Sequence, residues 1–211
     1  MAQVGAFSRQ TGHDREIIAA YPFRSAAPTS LWAALIDGAS QNLAFAGYTN
    51  YFLWQQHPRL GARLKAKADA GARIRFLVGD PGVGRHAQAG RSGGRPPLAV
   101  STRIKITLDA LEKMGECRGV EAQFSDQHIA LSVFQCDDQM LVTPHIASLL
   151  GDESPVLHLR RLEDDGLYDR FASHLTALWE SGRPVELQSA NSTAPAGWFD
   201  EGPSVTGDAF G

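Results

Sequence analysis

Residues 42–80 read NLAFAGYTNYFLWQQHPRLGARLKAKADAGARIRFLVGD, and this stretch decides the fold. The short apolar runs at 42–48 and 73–78 are typical of buried strands. Between them, apolar residues recur at a spacing of four, which predicts a helix that begins near Pro58 and ends at Gly71. A strand, a helix and a second strand at this spacing predict a right-handed parallel crossover, and therefore an α/β protein.

Polar residues follow both of these predicted strands. In open α/β sheets, ligands gather at the carboxyl ends of parallel strands. Tyr48 and Asn50 follow the first strand, and Asp80 follows the second. An aromatic ring and an amide at this edge suit a base or a sugar, although core packing of a tyrosine is an equal alternative. For Asp80, the simpler interpretation is a turn before Pro81.

Composition narrows the class of protein. The 211 residues are 43% apolar and 20% charged, which suits one globular core. With 20 Lys and Arg against 23 Asp and Glu, the net charge is −3, which argues against a sequence-blind nucleic-acid binder. No apolar run is long enough to span a membrane, and the first residues do not resemble a signal peptide. Cys117 and Cys136 suggest neither a disulfide framework nor a zinc site, so we expect a cytoplasmic protein without metal or cofactor.

Elements on either side of the central unit are predicted from their patterns. DREIIAAY at 14–21 suggests a short helix capped by its aspartate, and a second helix is expected at 31–40, after a cap at Thr29 or Ser30. The segment 79–97 is rich in Gly, Pro and Arg and predicts a mobile loop. Its GDPGVG lacks the Lys-Ser/Thr ending of a phosphate-binding P-loop. An amphipathic helix is expected at 98–115.

The second half of the chain predicts mainly strands. Apolar runs at 119–124, 129–136 and 139–146 are strand candidates, and the last two are close enough to form a hairpin. A further strand is expected at 154–162 and a final amphipathic helix at 166–180.

Several of these sequence segments, in this order, resemble segments of the phospholipase D-like superfamily. NLAFAGY at 42–48 and ADAGARIRFLVGDP at 68–81 are similar to the first two strands and the turn between them. GVEAQF at 119–124 and SVFQCDDQMLV at 132–142 resemble the catalytic hairpin region. PVLHLRRLEDDGLYDRFASHLTALWE at 155–180 resembles the closing strand and helix. Within the superfamily, the similarity is strongest to uncharacterised domains that follow an XRE-type helix-turn-helix in bacterial regulators.

The resemblance implies one α/β/α sandwich domain with a mixed sheet at residues 20–187. Residues 1–19 would then be an N-terminal extension, and residues 188–211 a disordered acidic tail. A homodimer is expected from the resemblance, because single-motif members of the superfamily tend to pair across a two-fold axis.

The catalytic motif of the superfamily is degenerate here. Active members carry H-x-K-x4-D, in which the histidine is the nucleophile and the lysine holds phosphate oxygens. If Asp137 takes the place of the motif's aspartate, the lysine position falls at Ser132 and the histidine position at Ala130. A methyl group cannot attack phosphorus and a hydroxyl carries no charge, so the family's chemistry is not expected to transfer.

A second match occurs later in the chain. His158, Arg160 and Asp165 fit H-x-R-x4-D, and arginine is a good phosphate ligand. These residues lie where the family has its closing strand, so the alternative is a strand with His158 and Arg160 on one face. That face would still be able to point toward a ligand.

Three further residues are candidates. His145 follows the hairpin and is either a site residue or a structural histidine. Asp137 is either a general acid or a turn residue. Arg103 on the predicted helix after the Gly-rich loop is either a phosphate contact or part of a solvated face.

Two functions remain open. In the first, the chain is a non-catalytic ligand-binding or sensory domain of regulatory type. It binds a small phosphorylated or anionic ligand through Tyr48, Asn50, Asp80, Arg103, Ser132 and Arg160. In the second, it is a phosphodiesterase or phosphotransferase that uses His145 or His158 with Arg160 or Arg161 as the anion clamp. A purely structural partner-binding protein with a filled cleft is a third alternative. Because the sequence shows no helix-turn-helix, direct contact with nucleic acid is not expected, nor is contact with a membrane.

Overall fold

The computed structural model describes residues 15–82, 97–114, 117–146, 149 and 151–187. These residues form one sheet of eight strands in the order β1-β7-β6-β5-β2-β3-β4-β8. The strands are β1 Ile17–Tyr21, β2 Asn42–Ala46, β3 Arg73–Gly79, β4 Val120–Ser125, β5 Leu131–Cys136, β6 Gln139–Pro144, β7 Val156–Arg160 and β8 Arg183–Pro184. The helices are α1 Thr29–Gly38, α2 Tyr51–Gln56, α3 Leu60–Asp69, α4 Pro97–Glu112 and α5 Leu167–Glu180.

The sheet is mixed, as the resemblance implied. Strands β2, β3 and β4 run parallel, and every other neighbouring pair is antiparallel. The predicted crossover is present, because α2 and α3 connect β2 to its parallel neighbour β3. The predicted α/β class is therefore confirmed.

Helices cover both faces of the sheet. Because successive strand residues point to opposite faces, Leu43 and Phe45 of β2 pack in one apolar cluster, whereas Ala44 and Ala46 pack in another. The first cluster includes buried residues of α1, α2 and α3, and the second includes residues of α5. At the centre of the first cluster, the rings of Phe45 and Phe76 are 4.8 Å apart. The layers are those of an α/β/α sandwich.

The N-terminal segment differs from its prediction. Residues 17–21 form an edge strand that pairs antiparallel with β7, not a helix. Alternate residues of β1 are exposed, which is the pattern of a strand with one face toward solvent. Residue 20, the predicted start of the domain, lies inside this strand. The short helix α2 and strand β8 were not predicted either.

Three segments singled out by the sequence lie outside the described residues: 1–14, most of the Gly-rich loop at 83–96, and the tail 188–211. Within the described part of the chain, no helix is both long and apolar enough to cross a membrane.

Candidate functional site

A cavity of about 410 Å³ lies where β2 and β3 end. Asn50 shapes this edge of the sheet. Its backbone is left-handed (φ 47°), and its side-chain amide donates to the carbonyl oxygens of Phe45, at 3.0 Å, and Leu77, at 3.1 Å. One side chain thus ties the ends of the two parallel strands together at the point where α2 begins.

The floor of the cavity leaves no room for a side chain at Gly47. A Cβ atom there would lie 2.7 Å from Oδ1 of Asn50 and 3.0 Å from Oγ of Ser132. Both distances are shorter than van der Waals contact, so glycine is required for these polar groups to approach the backbone of β2. The Asn50 Oδ1 atom is buried and has no hydrogen-bond partner among the described residues.

Ser132 and His145 form a hydrogen-bonded pair beside Gly47. Ser132 lies on β5, opposite Thr143 of β6, and His145 follows the end of β6. Oγ of Ser132 is 2.8 Å from Nε2 of His145. The hydroxyl and the imidazole both line the cavity.

The His145 ring is neutral at physiological pH. Burial, followed by the neighbouring His128 and Arg24, lowers the pKa of this imidazole to about 4. A neutral ring has one N–H donor and one acceptor nitrogen. The pair at the floor therefore offers hydrogen bonds but no charge.

A second polar pair stands beside the first. The Tyr48 hydroxyl is hydrogen-bonded to Nδ1 of His128. The Tyr48 ring centroid is 5.8 Å from that of His128 and 5.9 Å from that of His145. The three rings thus form one wall of the cavity.

Two arginines line the cavity on its aromatic side. The guanidinium carbon of Arg24 lies 4.1 Å from the centroid of the Phe52 ring, and that of Arg103 lies 5.3 Å from the Tyr51 ring. Helix α4 is joined to the cavity edge because the buried Thr107 hydroxyl donates to the carbonyl oxygen of Thr49, at 2.6 Å. This bond fixes the turn of α4 that follows Arg103.

Other candidates from the sequence lie at the opposite end of the sheet. His158 is buried, and its Nε2 is 3.0 Å from Oε1 of Gln139, where β6 begins. Arg160 is 3.8 Å from the carboxylate of Asp138. Antiparallel pairing brings both residues near the β5–β6 turn, whereas the cavity lies where β5 begins and β6 ends.

Asp137 is placed at that turn as well. Its carboxylate accepts the backbone N–H groups of Ser40, Gln41 and Asn42, at 2.7, 3.0 and 2.7 Å. Partial burial raises the pKa of Asp137, but these three bonds outweigh burial and hold it below its ordinary value. The left-handed backbone of Asp137 (φ 50°) is that of a turn residue.

Asp80 and Arg161 are held in ion pairs outside the cavity lining. Asp80 directly follows β3 and contacts the guanidinium of Arg183, and it also accepts the backbone N–H of Gly82, at 2.6 Å. Arg161 donates to the carboxylate of Asp169, at 2.7 Å.

The structure therefore gathers five of the predicted residues at one cavity: Tyr48, Asn50, Arg103, Ser132 and His145. Sequence reasoning missed Arg24, His128 and Thr143 as lining residues. His128 precedes the hairpin and could have been noticed as a histidine near a predicted site. Arg24 lies in a loop after β1, and no local signal marks it. Ala130, at the degenerate histidine position, is exposed and lies outside this lining.

We find no metal site in the described segments, where no cluster of three His, Cys, Asp or Glu residues has suitable geometry.

This chain is similar to several solved structures. No protein-family model and no curated protein matches this sequence. TrmBL2, an archaeal chromatin protein, is 13% identical over 84% of this chain and 57% of its own, with a TM-score of 0.49. Nuc of Salmonella typhimurium, a phospholipase D family member, is 14% identical over 74% of this chain and 89% of its own, with a TM-score of 0.43. Phosphatidylserine synthase of Haemophilus influenzae is 15% identical over 72% of this chain and 35% of its own, with a TM-score of 0.43.

At these identities, and with TM-scores below 0.5, the similarities carry no argument about the superfamily or the role of this chain, and the phospholipase D-like resemblance remains a prediction. The kinship with XRE-type regulators, the loss of catalysis and the homodimer remain predictions.

One expectation about partners was wrong. We excluded nucleic acid because the chain shows no helix-turn-helix. TrmBL2 is described as showing a novel mode of DNA binding, and this chain spans 57% of its length.

Proposed function

We propose that the chain is a phospholipase D-like domain that binds a small phosphorylated or otherwise anionic ligand in the cavity beside Ser132 without cleaving it. The observation that carries the proposal is the neutral pair of Ser132 and His145, 2.8 Å apart, where the resemblance implies a charged clamp at position 132. Such a floor accepts and donates hydrogen bonds, but it supplies no ammonium group to hold a phosphoryl oxygen during transfer.

Among the described residues that line the cavity, Arg24 and Arg103 are cationic and Asp152 is acidic. One guanidinium group can donate two parallel hydrogen bonds to the oxygens of a phosphate or carboxylate, and it remains charged at every physiological pH. The nearby rings of Phe52 and Tyr51 hold both guanidinium groups close to the cavity. The anionic part of the ligand would lie at these arginines, and its uncharged part would face Ser132 and Tyr48.

Calorimetric titration of the full chain with inorganic phosphate, pyrophosphate and adenosine monophosphate tests this proposal. Replacing Arg103 by Gln removes one charge-assisted contact and should weaken binding about tenfold or more. Lys105→Gln is the matched control, because Lys105 is exposed on the same helix and does not line the cavity. If none of the three probes binds, or if both variants weaken binding equally, the proposal is wrong.

A specific observation favours a second candidate, a phosphodiesterase that uses His145. A hydroxyl at 2.8 Å from an imidazole nitrogen has the geometry of a nucleophile and its base. In this reaction the Ser132 oxygen would attack phosphorus, its proton would pass to His145, and the first alcohol would leave with that proton, which leaves a phosphoserine. A water molecule, deprotonated by His145, would then attack that phosphorus, and Ser132 would leave with the proton, which releases the phosphomonoester and restores the hydroxyl. The low pKa of His145, about 4, makes it a weak base and counts against this candidate.

Hydrolysis of bis(p-nitrophenyl) phosphate separates the two functions. We expect the protein to hydrolyse this phosphodiester no faster than buffer alone does. Turnover that is abolished in both Ser132→Ala and His145→Ala but retained in His158→Ala would establish the enzyme in place of the binding domain.

A further inference from the structure

A groove lined by arginines lies at the end of β3 remote from the cavity, where it runs from the face of the sheet that α5 covers to the sheet edge at β4 and β8. We call it the arginine groove and define it by Arg73, Arg75 and Arg118. Two adjoining concavities, of about 200 and 800 Å³, share Arg73, Arg75 and Trp179. Arg73 is the first residue of β3, whereas the cavity described above lies where that strand ends.

The groove carries excess positive charge. The Glu121 carboxylate lies 3.4 Å from Nε of Arg75 and 4.0 Å from Nε of Arg73, and so offsets one of the three charges. The side chain of Arg73 is 56% exposed, and Arg118 is exposed as well. Arg75 lies with its guanidinium carbon 4.9 Å from the centroid of the Trp179 ring.

Apolar side chains line the same groove. Val120, Val185 and Leu187 are among its lining residues and are partly buried against the core. Charge beside apolar surface is complementary to a peptide that carries both acidic and aromatic residues.

The chain contains such a peptide directly after Leu187. Residues 188–211 read QSANSTAPAGWFDEGPSVTGDAFG, with three acidic residues and no Lys, Arg or His. The chain has 23 acidic residues in all, so residues 1–187 carry 20, which equals its 20 Lys and Arg. All of the net negative charge therefore belongs to the tail. Its WFDE at 198–201 places two aromatic residues next to two carboxylates.

We infer that the segment Trp198–Glu201 binds in the arginine groove of its own chain. Asp200 and Glu201 would pair with Arg73 and Arg118, and the two aromatic rings would cover the apolar lining. The connection is long enough, because the ten residues between Leu187 and Trp198 span up to about 35 Å when extended and Leu187 itself lines the groove. A linker of this length gives a millimolar effective concentration, so that even weak binding populates the docked form.

Hydrogen exchange of the full chain, followed by mass spectrometry, tests the inference. In the wild type at low salt, amides of 198–201 should exchange at least about twofold more slowly than unstructured peptide, and 1 M salt should remove the protection. Arg73→Glu with Arg118→Glu should also remove it. Arg59→Glu with Lys105→Glu makes the same change of charge at exposed sites outside the groove and should leave the protection intact.

A charge exchange completes the test. Adding Asp200→Arg and Glu201→Arg to the variant that carries Arg73→Glu and Arg118→Glu should restore the protection of the amides of 198–201. Exchange in the wild type at the unstructured rate, protection that survives reversal of the groove, or failure of the charge exchange would each overturn the inference. Protection that disappears on dilution would assign the groove to a second copy and overturn it as well.

Discussion

Oγ of Ser132 and Nε2 of His145 lie 2.8 Å apart, although 13 positions separate the two residues in the chain. The β5–β6 hairpin brings them together, because Ser132 is opposite Thr143 and His145 follows two residues later. The hairpin thus places a neutral hydrogen-bonded pair in the cavity.

The buried His145 ring predicts a loss of stability in acid. Its pKa is about 4 in the folded state and about 6.5 when unfolded, so between these values the unfolded state binds more protons. Stability is therefore full above about pH 6.5 and falls as the pH falls toward 4. The difference corresponds to at most about 3 kcal/mol.

Urea unfolding at about pH 7 and pH 4.5, in wild type and in His145→Gln, measures this contribution. The wild type should lose about 2 kcal/mol more than the variant, because glutamine does not titrate. Equal losses in the two proteins would show that His145 does not have the low pKa.

The close contacts around Gly47 predict that a larger residue does not fit at this position. In Gly47→Ala, the new methyl group would displace Asn50 or Ser132, and we expect a loss of about 1–3 kcal/mol in the free energy of unfolding. Ligand affinity should fall as well. Gly38→Ala is the control, because among the described residues nothing lies within 4 Å of a Cβ at that position. Thermal unfolding that is lowered equally by both substitutions would contradict the prediction.

Asp137 is expected to act on stability and not on chemistry. Its carboxylate accepts three backbone N–H groups at the start of β2. Asp137→Ala would leave these donors without their acceptor, at a cost of about 2–3 kcal/mol. Asp138→Ala, whose side chain is 62% exposed, should change stability by less than about 0.5 kcal/mol.

The same pair of variants tests whether Asp137 is catalytic. Under conditions where Asp137→Ala remains folded, it should bind adenosine monophosphate as the wild type does. A folded Asp137→Ala protein that has lost binding or turnover would place Asp137 in the site.

The hydrogen bonds of Glu16 predict that the segment before β1 belongs to the domain. Its buried carboxylate accepts the backbone N–H groups of Leu162, at 2.8 Å, and Tyr168, at 2.6 Å. Burial raises the pKa of Glu16, but the backbone bonds hold it below its ordinary value. The resulting stability is present above the unfolded pKa and is lost as the pH falls through the folded one.

Glu16→Gln should lower the free energy of unfolding by about 1–3 kcal/mol, because the charged acceptor is removed. Glu180→Gln, at an exposed position, is the control and should change it by less than about 0.5 kcal/mol. If the two variants unfold at the same urea concentration, Glu16 is not part of the fold and the domain begins later.

The periodicity of the sequence predicted most of the fold. The apolar runs of β2 and β3 and the spacing of apolar residues in α3 are local patterns, and the structure retains them with small changes at the ends. Strand β1 was mistaken for a helix because IIAAY has no strict alternation of polar and apolar residues. Its pairing with β7, about 140 residues away, decides its conformation.

The sequence by itself determined the α/β class, and it predicted the edge of the sheet where a site would form and the loss of the histidine and lysine that the resemblance implies. All three follow from the order and type of neighbouring residues. Only the tertiary structure decided which polar residues share the cavity, because Arg24, Arg103 and His145 come from distant segments. It also separated His158 and Arg160 from them, since strand direction determines at which end of a sheet a side chain lies.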